Sequence, residues 1–168
     1  IFVPLFVGHA YKHLANVFTT AEGFALLCLL ASATYMLNDI ADLEADRAHH
    51  VKRRRPFASG ELPVAFGLTV APVLIAAALA GAFLLSHAFA AALALYLALT
   101  LAYSFGLKQL PLVDVFVISM LFVLRIVMGT AVLALAYSPW LLTFSWAFFL
   151  SLALAKRHVE VVRAERSE

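Results

Sequence analysis

Three aspartates, Asp39, Asp42 and Asp46, stand three and four residues apart, with Asn38 one turn before Asp42. On a helix that spacing stacks the three carboxylates along one face. Like charges so placed repel by a few tenths of a kcal/mol per pair in an isolated helix, so the spacing makes sense with a cation among them. Hard oxygen donors suit Mg²⁺, which takes one or two carboxylates and completes its shell with substrate phosphate oxygens. Close behind lies the basic run Lys52, Arg53, Arg54, Arg55, ending at Pro56, and Lys and Arg clamp phosphates. Residues 32–60 therefore read as a diphosphate site. Asp39, Asp42 and Asp46 would be its catalytic, metal-holding carboxylates, and Asn38, Lys52, Arg53 and Arg55 would contact substrate. The competing reading is a solvated loop that merely follows the charge bias of membrane topology. Three in-phase carboxylates at the mouth of an apolar run, with a basic cluster beyond, favour the site.

The elements that must position these residues are apolar. Of 168 residues, 64% are hydrophobic and 13% charged, and the mean hydropathy is +0.96. A water-soluble domain of this size has no interior for that much apolar surface, so the fold class is all-α, a polytopic transmembrane helical bundle. Net charge is +2, and the basic residues are clustered instead of forming a broad stripe, which argues against nucleic acid as a partner. The single cysteine, Cys28, lies inside an apolar run, where a small buried residue is expected, and it offers neither a disulfide framework nor a cysteine zinc site.

Six spans are expected. Residues 1–7 are apolar but give way to GHAYKH, so the opening span is incomplete or enters at an angle. The others are residues 21–37, 63–85, 88–105, 112–135 and 140–155. Pro63 falls near a first turn, where its missing N–H costs little. Ser86 and His87 form a turn short enough to force antiparallel neighbours. Arg47, Lys52, Arg53, Arg54, Arg55, Lys108, Lys156, Arg157, Arg163 and Arg166 fall in alternate loops, ten of the twelve Lys and Arg. The positive-inside bias puts those loops, with the aspartates, on the cytoplasmic side. The chain opens without Met or a charged leader and stops at RAERSE. It reads as a segment of a longer protein with no cleavable signal peptide, a single transmembrane domain over residues 1–168, incomplete at its C-terminus.

Other polar residues interrupt the apolar scaffold. Arg125 sits mid-span, where a charge costs at least ~2.5 kcal/mol on insertion scales, so it must face the bundle interior with a partner. It is either a pocket residue contacting phosphate or an interhelical hydrogen-bonder. Asp114 shares its face but lies roughly 16 Å away by helical rise, too far for a direct pair. It is either a site acid or a charge meeting the helix dipole. Lys156, Arg157 and Glu160 read either as a membrane exit with snorkelling cations or as a second phosphate and metal locus. Ala76, Ala77, Ala78, Ala80, Gly81, Ala90, Ala91 and Ala92 are packing residues that let helices approach closely.

The pattern S-x-x-Y-x-x-N-D-x-x-D-x-x-x-D from Ser32 to Asp46, followed by H-x-x-K-R-x-R-P-x-A-S-G, resembles the first signature of the UbiA superfamily of intramembrane prenyltransferases. With YSFGLKQLPLVDV, FVLRIVMG and LLTFSWAFFLSLALAKRHVE, the chain looks most like the branch of polyprenyl-phosphate phosphoribosyltransferases. The resemblance implies nine transmembrane helices in the bacterial inner membrane, two aspartate-rich cytoplasmic loops, and Mg²⁺ bridging carboxylates to a diphosphate. It matches Asn38, Asp39, Asp42 and Asp46 to the first motif and Lys52, Arg53 and Arg55 to its basic continuation. Tyr103, Lys108, Arg125, Lys156 and Arg157 lie in the other resembling segments and complete the candidate binding set. Where the family often has a second DxxxD, this chain reads KRHVE, leaving Glu160 as the nearest carboxylate and candidate metal ligand.

The implied reaction is loss of diphosphate from a carbon able to bear positive charge, with metal and cations neutralising the leaving group. The first expectation is phosphoribosyl transfer from phosphoribosyl diphosphate to a polyprenyl phosphate. The alternative is prenyl transfer from a polyprenyl diphosphate to an aromatic acceptor such as 4-hydroxybenzoate. A non-catalytic lipid-binding membrane protein is a further class; a transporter would show internal repeats and broken spans, and no repeat is evident. Expected partners are the polyprenyl lipid, a soluble phosphorylated or aromatic co-substrate, and membrane lipids.

Overall fold

The computed structural model describes residues 1–110 and 112–165, the side chains of residues 109, 160, 161 and 163–165 excepted. Its helices are α1 (Val3–Val7), α2 (Leu14–Ala41), α3 (Leu43–Ala48), α4 (Pro56–Ser59), α5 (Val64–Leu85), α6 (His87–Phe105), α7 (Val113–Val132) and α8 (Pro139–Glu165). Among the described residues five of these, α2, α5, α6, α7 and α8, are long and apolar enough to cross a membrane. The sixth expected span is instead the five-residue α1, which starts at Pro4 in its first turn, stops at Gly8 and packs on α7.

Boundaries moved where polar side chains hid helix. α2 begins seven residues before the expected start because Thr19 and Thr20 return their hydroxyls to the carbonyls of Ala15 and Asn16, at 3.0 and 2.7 Å. A hydroxyl bonded to its own helix no longer needs water. Pro63 sits just outside α5. The α5 to α6 turn shrinks to Ser86, whose hydroxyl accepts the Phe89 N–H at 3.4 Å and donates to the Ala131 carbonyl at 3.4 Å. One residue thus caps α6 and ties its start to the end of α7.

α2, α5, α6 and α7 pack on one another, and α8 packs on α7. The contact is made by small residues, as the alanine content suggested. Ala33, Ala71, Ala78 and Ala82 are fully buried, and a Cβ at Gly81 would come within 2.7 Å of the Leu26 side chain. Close approach of backbones is what drives helix association where lipid removes the hydrophobic incentive. Several alanines of the expected packing set, Ala76, Ala77, Ala80 and Ala91, face outward instead. Cys28 is also exposed, correcting its expected burial: it lies with Leu29 on the outward face of α2, while Leu27 and Leu30 beside it in sequence face the core. Around Phe89, Leu30, Leu93 and Met128 are likewise fully buried. Truncating Phe89 to Ala leaves a cavity that neighbouring rigid helices cannot close, so the variant should lose about 3 kcal/mol, read as a lowered thermal unfolding midpoint in detergent.

Candidate functional site

The aspartates lie where α2 ends. The Asp42 N–H donates to Asn38 O at 2.9 Å and the Asp46 N–H to Asp42 O at 2.8 Å, so helical bonding carries through the join with α3 although Asp42 itself (φ −92°, ψ 10°) leaves helical geometry. The stacked face expected of a single helix is therefore bent at its middle carboxylate. The carboxylates on either side of the bend share one cation, and the one at the bend takes another. The Arg55 Nη1 reaches Asp39 Oδ1 at 3.0 Å and Asp46 Oδ2 at 2.7 Å. Lys108 donates to both oxygens of Asp42, at 2.7 and 2.8 Å. Asp46 is only 1% exposed, so its charge depends on that guanidinium.

Pro56 explains why Arg55, alone in its run, turns inward. The residue before a proline is driven to extended geometry, and Arg55 adopts φ −63°, ψ 145° as α4 begins. Lys52, Arg53 and Arg54 form a single exposed turn, where His49 Nδ1 accepts the Val51 and Lys52 N–H groups. Arg47 Nε donates to the Ala58 carbonyl at 3.3 Å and holds α3 to α4. Phe57, 4% exposed, seats α4 on the bundle, and Gly67 makes room for it: a Cβ there would lie 2.8 Å from its ring.

Below the aspartates a cavity of about 220 Å³ enters the bundle. Its walls are helical stripes: Ala31, Thr34, Tyr35 and Asn38 from α2, Tyr96, Thr100, Tyr103 and Ser104 from α6, and Ile118, Leu121, Phe122 and Arg125 from α7. Arg125 lines this cavity and is an interhelical hydrogen-bonder. Its Nη2 donates to Tyr96 Oη at 3.0 Å, its guanidinium lies 4.9 Å from the Phe122 ring centre, and its Nε faces the cavity region with no hydrogen-bond partner among the described residues. Thr100 Oγ1 is likewise buried without a partner. A polar ligand would satisfy both.

A second polar pocket, about 210 Å³, is lined by Tyr103, Lys108, Asp114, Lys156 and Arg157. Asp114 Oδ1 is buried there without a hydrogen-bond partner among the described residues, which favours a site role over a helix-start charge. The structure so gathers Asp39, Asp42, Asp46, Arg55 and Lys108 into one cluster, with Asn38, Tyr103 and Arg125 along the cavity and Lys156 and Arg157 beside it. Lys52 and Arg53 stay on the exposed rim. The side chain of Glu160 lies outside the described residues. Thr34, Tyr96 and Thr100 were missed by sequence reasoning; their signal was phase, with Thr34 one helical turn from Asn38, and Thr100 and Tyr96 one and two turns before Tyr103, inside apolar runs.

Among the described residues no three His, Cys, Asp or Glu side chains converge as a metal site. Asp39 and Asp46 share Arg55 and Asp42 takes Lys108, so oxygen donors of the kind Mg²⁺ takes stand at this mouth, each engaged by a protein cation.

The sequence matches the UbiA prenyltransferase family over residues 1–166. The chain belongs to the UbiA prenyltransferase family. With five apolar helices, this UbiA chain is an integral membrane protein. It is 54% identical over 164 residues to an uncharacterized protein, y4nM, of Sinorhizobium fredii, covering 98% of this chain and 32% of that protein. It is 37% identical over 160 residues to the decaprenyl-phosphate phosphoribosyltransferase of Mycobacterium tuberculosis, covering 95% of this chain and 53% of that enzyme. The nodulation protein NoeC of Azorhizobium caulinodans is 35% identical over 167 residues, 99% of this chain and 54% of that protein. The UbiA chain thus spans about a third to a half of the length of these relatives.

Arg55 is the cation most exposed to test. Replacing it with Met leaves buried Asp46 without a counter-charge. Stability should fall by about 2 kcal/mol, discounted from fully buried pairs because Arg55 is partly solvated. Adding Asp46→Asn should restore most of that loss, measured as a double-mutant cycle of thermal unfolding.

Proposed function

We propose that the protein is a Mg²⁺-dependent transferase that moves the phosphoribosyl group of phosphoribosyl diphosphate to a polyprenyl phosphate. The observation that carries this reading is the cluster of Asp39, Asp42 and Asp46 with Arg55 and Lys108 above an intramembrane cavity whose largely apolar walls carry Asn38, Thr100 and Arg125. Family membership and the phosphoribosyltransferase relatives support it. The Lys and Arg distribution supports a cytoplasmic mouth in a bacterial inner membrane, where soluble phosphoribosyl diphosphate would arrive.

Asp39 and Asp42, with Asp46 and Asn38 orienting them, would hold Mg²⁺, which when bound neutralises diphosphate charge as it develops on the leaving group. Arg55 and Lys108, which hold those carboxylates, stand at the same mouth and would also pair with phosphate oxygens of the substrate. Lys52 and Arg53 on the rim would meet the diphosphate first. The C1–O bond to diphosphate breaks with its electron pair leaving on oxygen, and a phosphate oxygen of the lipid forms the new bond to C1. Tyr103, Thr100 and Arg125 would line the space for the sugar and acceptor, excluding water from an oxocarbenium-like carbon.

The test is transfer in nanodiscs, with products identified by mass. Phosphoribosyl diphosphate plus polyprenyl phosphate should give a phosphoribosylated lipid, lost on chelation of Mg²⁺. Asp42→Asn should lower the rate at least about a thousandfold, roughly 4 kcal/mol, while the protein still inserts and unfolds cooperatively. An unchanged rate would sink the assignment. A prenylated ring from polyprenyl diphosphate plus 4-hydroxybenzoate would keep the site and change the reaction.

A further inference from the structure

The two cations of the acidic cluster are held differently. Arg55 bridges two carboxylates, so a metal that took Asp39 would still leave it Asp46. Lys108 has Asp42 alone, and its side chain is only 27% exposed. An ammonium so placed, once stripped of its carboxylate, is left as an uncompensated charge. The same lysine lines the polar pocket of about 210 Å³ into which Asp114 also faces. Asp114 Oδ1 is buried and accepts no hydrogen bond from any described residue, a costly state for a carboxylate oxygen. Lys156 and Arg157, on the α8 wall of that pocket, have interactions of their own. Lys108 lies in the short turn Leu107–Gln109, which packs on α7, and the Asp114 N–H donates to Leu110 O at 3.3 Å, keeping the start of α7 beside that turn. A pocket of this size is no wider than the sweep of a lysine, whose charge rides on four flexible carbons. Rotation of one side chain can therefore carry the ammonium from Asp42 to Asp114 while both helices stay in place.

We infer that Asp114 is the second seat of Lys108: when a divalent cation takes Asp42, the displaced ammonium moves onto Asp114 Oδ1. The exchange rests on the divalent-cation site of the proposed reaction; the second seat rests on the pocket. Asp114 is then a positioning residue that touches neither metal nor substrate and acts through Lys108. Its contribution is to lower the penalty that Lys108 sets on every ion bound at Asp42, because the charge that must leave finds an unsatisfied acceptor in the same pocket. Without Asp114 the ammonium has no second carboxylate there, and the ion must compete with Lys108 at full strength. Metal occupancy of one carboxylate is thereby tied to the vacancy of another that lies on a different helix.

The test needs no turnover. Mn²⁺, which takes the same oxygen ligands as Mg²⁺, is titrated into the protein in nanodiscs without substrate, and the free ion is read by electron paramagnetic resonance. Asp114→Asn should weaken Mn²⁺ binding about tenfold, and Lys108→Met should tighten it. Added to Lys108→Met, Asp114→Asn should change the affinity less than about twofold, because the charge it would receive is gone. Asp114→Glu, which keeps a carboxylate in the pocket, should stay within about threefold of the native protein. Equal weakening by Asp114→Asn in both backgrounds would mean that Asp114 acts on the ion directly, and would overturn the second seat; so would an affinity that Asp114→Asn leaves unchanged. If Asp114→Asn does not fold, Asp114→Ser replaces it in the cycle. A structure of the native protein with Mn²⁺ decides independently: Lys108 Nζ within hydrogen-bond reach of Asp114 supports the exchange, and Nζ still on Asp42 refutes it. Mn²⁺ bound without coupling would remove the second seat and leave the metal site standing, whereas no saturable Mn²⁺ binding by the native protein would refute both.

Discussion

A carboxylate with almost no access to water must have a cation beside it, and Asp46 has Arg55. The cost of leaving that charge uncompensated, about 2 kcal/mol with Arg55 partly solvated, is of the same order as the loss of a core side chain such as Phe89. Much of the local architecture follows from meeting it. Pro56 sets the backbone that points Arg55 inward, Arg47 fastens the turn from the other side, and Phe57 over Gly67 holds the short helix α4 against α5. The loop between two spans is thereby a folded part of the site instead of a tether.

The second consequence is that the acidic cluster is already an ionic structure before any ligand arrives. Three carboxylates share two protein cations, so the Mg²⁺ of the proposed reaction would join by exchange and not by simple addition. Its affinity would be set by the difference between what Asp42 gains from the ion and what it loses with Lys108. Metal binding would then be coupled to the position of the turn between α6 and α7, and through Lys108 to the pocket facing α8.

The sequence made legible what is local. The apolar runs located five spans, and the aspartate spacing and the basic run picked out residues that the structure joins through Arg55. What it hid was of two kinds. Helix ends were hidden where hydroxyls bond their own backbone, as at Thr19 and Thr20, because hydropathy counts a satisfied hydroxyl as polar. Partners were hidden where they come from afar: nothing in the order of residues pairs Lys108 with Asp42, or joins Arg125 to Tyr96, because these are properties of how helices pack. Cys28 shows the same limit, since an apolar neighbourhood in sequence does not say which face lipid takes.

The two cations also differ in when they become available. Arg55 is nine residues from Asp46, whereas Lys108 is 66 residues from Asp42, beyond two further spans. A ribosome adding about 5–20 residues per second delivers Lys108 roughly 3–10 s after Arg55. The nascent chain therefore seals one half of its acidic mouth within the α2 to α4 segment and carries the other half open until α6 has entered the membrane. Asp42 must wait in water for its partner, which keeps that end of α2 at the surface while the hairpin of α5 and α6 inserts.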